Sequence, residues 1–154
     1  MKDQLQEAWL IHNNMNLLLI DNISDEGMQK TLSTRGGRTV YLQLVHMHNV
    51  RMGWLEVCAK DIFKKYSKIA KEATYDRKKL KAVFSDSWAG ISEFINKSWD
   101  NDGKVTGFKK GLIPFIVYFI SHESHHRGNI LLTLKMSGVR LPDSLKWGLW
   151  EWGK

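Results

Sequence analysis

The chain has one cysteine, Cys58, in 154 residues, so no internal disulfide can staple it. It has two prolines, Pro114 and Pro142, which leaves long stretches free to be helical. No run of some ~18 apolar residues occurs, which argues against a membrane-spanning helix. The opening MKDQLQEAWLIHNN lacks an apolar run of signal-peptide type. Strand-period alternation, internal repeats and low-complexity tracts are missing as well. A reducing cytoplasm is the expected location, and nothing competes with an all-α reading.

What is present suffices for a packed core. Hydrophobic residues make up 43% of the chain and include seven tryptophans, so residues 1–154 are expected to form a single domain. The formal charge is +7, with basic residues concentrated at Lys60–Lys81 and again at Lys104, Lys109 and Lys110. That balance admits nucleic acid as a partner, with a solvated basic face as the plainer account. No ribonucleoprotein motif or cysteine–histidine finger accompanies it.

Helix periodicity is clear in four segments. Leu5, Trp9, His12, Asn16, Leu19 and Ile23 recur at three- and four-residue steps over residues 3–23. A polar connection through Gly36-Gly37 precedes a second helix, from about Arg38 to Ala59, with an end near Tyr66 as the alternative and apolar residues on more than one side. A lysine-rich crossover leads to a third helix over about Asp76–Trp99, ended by the turn residues Asn101-Asp102-Gly103. The fourth runs from about Lys110 to Ser137, with Pro114 near its start and Gly138 as its stop. LPDSLKWGLWEW adds a short C-terminal helix. The predicted architecture is a four-helix bundle with one long middle connection.

The fourth helix carries FISHESHHRGNILL. At ~100° per residue, His122 and His126 lie within ~40° of each other, on the face of Leu112, Phe115, Phe119 and Ile130. His125 falls ~60° or more away and is better placed for a rim. Two histidines at i and i+4 can converge on one cation, but need a third ligand from another helix. The second helix offers His46, on a face with Leu42, Val50, Trp54 and Val57, and His48, on the opposite face with Leu44, Met52 and Leu55. Periodicity does not choose between these two apolar faces. His12 is a weaker candidate. The competing account is that the histidines are merely packed or at the surface. HESHH also matches HExxH formally, with Glu123 as the general base of a metalloprotease, but no substrate-binding strand accompanies it.

Three segments resemble the DinB family, the damage-inducible, metal-binding four-helix bundles: GGRTVYLQLVHMHNVRMGWLE at 36–56, HESHHRGNILLTLKMSGV at 122–139 and, more loosely, AWLIHNNMNLLL near the start. The resemblance implies an up-down-down-up bundle, often a homodimer, holding a divalent metal, usually zinc or nickel, through three histidines. Carried over by position, the metal ligands are His46, His122 and His126, with His48 as the alternative to His46. Arg127 and Gly128 complete the motif. Arg127 is expected at the surface or a dimer contact, and Gly128 is placed to admit a neighbouring helix. Asn49 and Asn129 are candidates for steadying a ligand imidazole. The tryptophans of KWGLWEWGK offer an apolar surface to cover either the bundle or a partner subunit.

Three neutral imidazoles leave a divalent ion its full charge and a free coordination position, which suits a hydrolase or a thiol transferase acting on a small-molecule substrate of unknown identity. No general base stands out. Glu123 lies ~100° around the helix from His122, and Cys58 reads most simply as a buried apolar residue. The competing function is a non-enzymatic basic bundle that binds nucleic acid or an acidic partner.

Overall fold

The computed structural model describes residues 1–152; Gly153 and Lys154, the end of the KWGLWEWGK segment and of the expected 1–154 domain, lie outside the described residues. Four long helices make the body: α1 (Lys2–Asn22), α3 (Val40–Cys58), α5 (Arg77–Trp99) and α6 (Leu112–Met136). Three short ones join or follow them: α2 (Asp25–Met28), α4 (Lys60–Phe63) and α7 (Asp143–Gly148). Among the described residues there is no strand.

Direction follows from which residues meet. Lys2 bonds Asp100 and Trp9 bonds the Trp88 carbonyl, so α1 and α5 run antiparallel. Gln43 meets His126 and Trp54 meets Tyr118, so α3 and α6 are antiparallel too. Asn16 meets Arg127 while Trp9 meets Phe119, which makes α1 and α6 parallel. The chain therefore runs up, down, down, up, as the resemblance implies.

Local chemistry sets the boundaries. The Thr39 and Asp76 side chains accept from the backbone N–H of Leu42 and Lys79, capping α3 and α5. Ser24 caps α2, a turn of helix inside a connection expected to be irregular. The second helix stops at Cys58, beside the end expected near Ala59, because Ala59 leaves helical geometry at φ −152°; of the alternative extension towards Tyr66 only the short α4 forms. Gly111, at φ 85°, starts α6 from a left-handed conformation that disfavours any side chain. The crossover from α4 to α5 is strapped onto α3. Tyr41 donates to the Ala73 carbonyl at 3.0 Å, and Asn49 both donates to the Ile69 carbonyl and accepts its N–H.

The core is layered. One apolar cluster gathers Leu19, Leu44, Met47, Phe84, Ile130 and their neighbours; another gathers Trp9, Met52, Leu55, Ile91, Phe119 and theirs. Between these positions every long helix contributes buried polar side chains: His12, Asn13 and Asn16 from α1, Arg51 from α3, Ser87 from α5, Glu123 and Arg127 from α6. At the C-terminus Leu145 and Leu149 pack into the first cluster, whereas Trp147, Trp150 and Trp152 remain exposed. No described helix is long and apolar enough to cross a membrane. Within the basic stretch, Lys65, Lys68 and Lys81 each pair with a carboxylate, on Glu93, Glu56 and Asp21, which gives a mixed surface in place of a uniform positive one.

Two consequences can be measured. Arg51 and Glu123 are fully buried and pair with each other, so Glu123→Ala strands a guanidinium in the core. Chemical denaturation is expected to register a loss of about 3–5 kcal/mol; a loss below about 1 kcal/mol would mean that the polar layer does not hold the bundle together. His48 is buried, and desolvation lowers its pKa to about 4 despite its bond to the Ser67 carbonyl. The folded state thus favours the neutral ring, so the unfolded chain takes up the proton first as pH falls below about 6.5. Stability tied to His48 should be complete above that pH and lost progressively down to about 4, by on the order of 3 kcal/mol. His48→Leu should flatten that part of the denaturation-versus-pH curve, and an unchanged slope would contradict the assignment.

Candidate metal centre

The buried polar layer decides how α3 and α6 face each other. Arg51 reaches Glu123 with a two-pronged contact, Nε to Oε1 at 2.6 Å and Nη2 to Oε2 at 2.7 Å. Its Nη1 donates to Asn13 Oδ1, the Phe84 carbonyl and Ser87 Oγ. His12 Nε2 and Asn16 Nδ2 donate to the same carboxylate at 2.8 and 2.7 Å. Burial alone would raise the Glu123 pKa, but the Arg51 charge and these hydrogen bonds hold it well below the usual carboxylate range. Burial likewise lowers the His12 pKa, against the pull of Glu123, and keeps the ring neutral.

Pinning Glu123 inward turns its helical neighbours. His122 precedes it by ~100°, and His126 lies ~60° away on the same side. Both rings therefore flank α6 towards α3. There they meet His46, not His48. The three rings have centroids 4.7–5.2 Å apart, and one nitrogen from each lies within 4.8 Å of the others. His122 Nε2 and His46 Nε2 are 3.3 Å apart. A tetrahedral ion with bonds of ~2.0–2.1 Å would set its ligand nitrogens about 3.3 Å from one another, so this pair already has the required spacing.

The triad sits in the groove between α3 and α6, away from the bundle axis. The His46 side of α3 is the outer one, with Leu42 41% and Val57 51% exposed, whereas Leu44, Met52 and Leu55 beside His48 are fully buried. His46 and His122 are half-buried and His126 is buried. Desolvation lowers the pKa of all three, with the neighbouring rings adding to it for His46 and His126, and that of His126 falls to about 4. All three are thus neutral at pH 7, with lone pairs available to a cation. Gln43 Oε1 lies 3.4 Å from His126 Nδ1, placed to hold that ring with Nε2 free. The Tyr118 ring stacks on His122 at 6.0 Å. The donor set fits a divalent transition metal.

Several residues singled out in the sequence stand elsewhere. His48 bonds the Ser67 carbonyl and His12 bonds Glu123, so neither joins the triad. Glu123 is committed to Arg51, so the HExxH reading, which needs a free carboxylate beside the histidines, does not hold. Arg127 is buried and donates to Asn16 Oδ1 and Ser124 Oγ, not at the surface as expected. Asn49 ties down the crossover and Asn129 bonds the exposed His125, so the amide that bonds a triad ring is Gln43 instead. A Cβ on Gly128 would meet nothing within 4 Å, so no helix approaches there. Burial pushes the Cys58 thiol up to about 12, which removes it as a thiolate. Gln43 and Arg51 were legible only as polar residues interrupting an apolar helix.

No curated protein and no solved structure matches the chain. The family model described as the DinB family matches residues 1–145, most of its length, and the chain belongs to that family.

Proposed function

We propose that His46, His122 and His126 hold a divalent metal ion, zinc or nickel, and that this centre acts on a small-molecule substrate by hydrolysis or thiol transfer. The observation that carries the reading is the convergence of three neutral imidazoles from α3 and α6 on one point, at spacings a single ion can bridge. Bound there, the ion would supply Lewis acidity, lowering the pKa of an oxygen or sulfur ligand.

The chain's own residues supply the rest. The imidazoles add no negative charge, so the site keeps its attraction for anionic or polarisable ligands. Gln43 orients His126 and Tyr118 backs His122. Beside His126 opens a pocket of about 350 Å³ lined by Arg38, Ser33, His125 and Asn129 among others, with no acidic side chain in its wall. It is wide enough for a small polar substrate. With Glu123 locked inward and the Cys58 thiol protonated, the nucleophile, water or thiol, comes from solution or from the substrate.

Metal content measured by elemental analysis on protein without a histidine tag is expected to approach one ion per chain. His122→Ala or His126→Ala should remove it, whereas His48→Leu should leave it intact. Substoichiometric metal indifferent to His122→Ala would sink the proposal. Acid should strip the ion as protons compete for the imidazoles, and occupancy should be retained above about pH 6.5. Retention of the metal through pH 3 would mean that the ligands are not histidines.

A further inference from the structure

On the flank of α6 away from α3 lies a second cavity, larger than the pocket beside the histidines. It has a volume of about 690 Å³ and runs between α1 and α6 under the C-terminal segment. Its wall is mostly apolar, from Ile11, Met15, Ile120, Leu131 and the rings of Trp150 and Trp152. The volume falls within the ~300–1,000 Å³ typical of small-molecule sites.

One charged group in that wall makes no ion pair of its own among the described residues. Arg127 lines the cavity, is only 9% exposed, and donates to Asn16 and Ser124, both neutral. The carboxylate nearest to it in the network, Glu123, already accepts from Arg51, Asn16 and His12. Two guanidiniums therefore share one carboxylate, and with His12 neutral the layer carries a net positive charge. Glu7, the one acidic side chain along the cavity, is exposed and forms no ion pair with Arg127. A buried charge without an ion pair of its own is costly, and an anion delivered into the cavity would offset that cost. In the same wall, His12 Nδ1 is buried without a hydrogen-bond partner, an acceptor that a water carried in with the ligand would satisfy.

We propose that this cleft binds a small amphipathic carboxylate, its chain along the apolar wall and its head on Arg127. The site is independent of the metal reading. It uses the opposite side of α6 and needs no ion.

The test is isothermal titration of decanoate and of 1-decanol into the full chain, at mildly alkaline pH, with and without EDTA. Saturable binding of decanoate is expected, at least about tenfold tighter than 1-decanol, which lacks the charge that Arg127 recognises. EDTA should not change it. Gly128 lines the cleft in regular helix with open space around its Cβ position, so Gly128→Leu should fill the cavity without disturbing the fold. That variant should lose decanoate binding and keep or raise its thermal midpoint, since leucine is the better helix former. Arg127→Gln should weaken decanoate about tenfold and leave 1-decanol unchanged. If that variant fails to fold, the head-group comparison and Gly128→Leu decide the matter alone. Equal affinity for acid and alcohol, binding retained in Gly128→Leu, binding abolished by EDTA, or no saturable binding would each overturn the proposal.

Discussion

A carboxylate buried out of reach of water must find all its hydrogen bonds within the protein, and Glu123 finds four, from Arg51, Asn16 and His12. Because the donors sit on α1 and α3, that requirement fixes the rotation of α6 against two neighbours at once. Apolar packing alone would be more permissive. A leucine stripe can slide by a fraction of a turn and still bury its area, whereas a guanidinium facing a carboxylate through two parallel bonds cannot. The stacking of Trp9 and Phe84 against Arg51, at 4.7 and 5.0 Å, closes the shell on its remaining sides. Buried pairs of this kind add little net stability over an apolar substitute. Their effect here is specificity, one rotation of each helix in preference to several.

That specificity explains why the triad forms where it does. With the bundle axis taken by Arg51 and Glu123, histidines one residue before and three residues after Glu123 can only lie on the flank. The flank facing α3 brings them to His46. A centre in the groove is open to small molecules on one side and desolvated on the other. Both conditions matter chemically: the open side admits a ligand, and the desolvated side keeps the rings neutral.

Much of this could be read from sequence, and the reasons for the gaps are specific. The four long helices stand out because each has a three- and four-residue apolar rhythm bounded by caps or glycine, and their ends shift by only a few residues. At α3 the end expected near Ala59 falls at Cys58, and only the alternative continuation towards Tyr66 gives way, to the short α4. The pair His122 and His126 is legible from spacing alone. His46 is not, because both faces of α3 are apolar. The fold supplies the reason: Arg51, among Met47, Met52 and Leu55, turns inward to Glu123, which carries His48 inward with it and leaves His46 on the flank. A single sequence shows Arg51 and Glu123 but not that they meet, so the interior role of Glu123 and the burial of Arg127 required the fold.

The segment 122–128 then serves three faces in under two turns. His122 and His126 look to α3, Glu123 looks to the axis, and Ser124, Arg127 and Gly128 border the cleft against α1. The density is a direct result of ~100° steps: consecutive residues cannot share a face, so a motif this short must divide its side chains among neighbours. It also imposes a constraint. Glu123 is bonded to α1 and α3 alike, so a shift of α1 that closed or widened the cleft would pull on the same carboxylate that orients the triad. The triad and the cleft are chemically separate, and the helices that border them are held together by that one buried, fully bonded carboxylate.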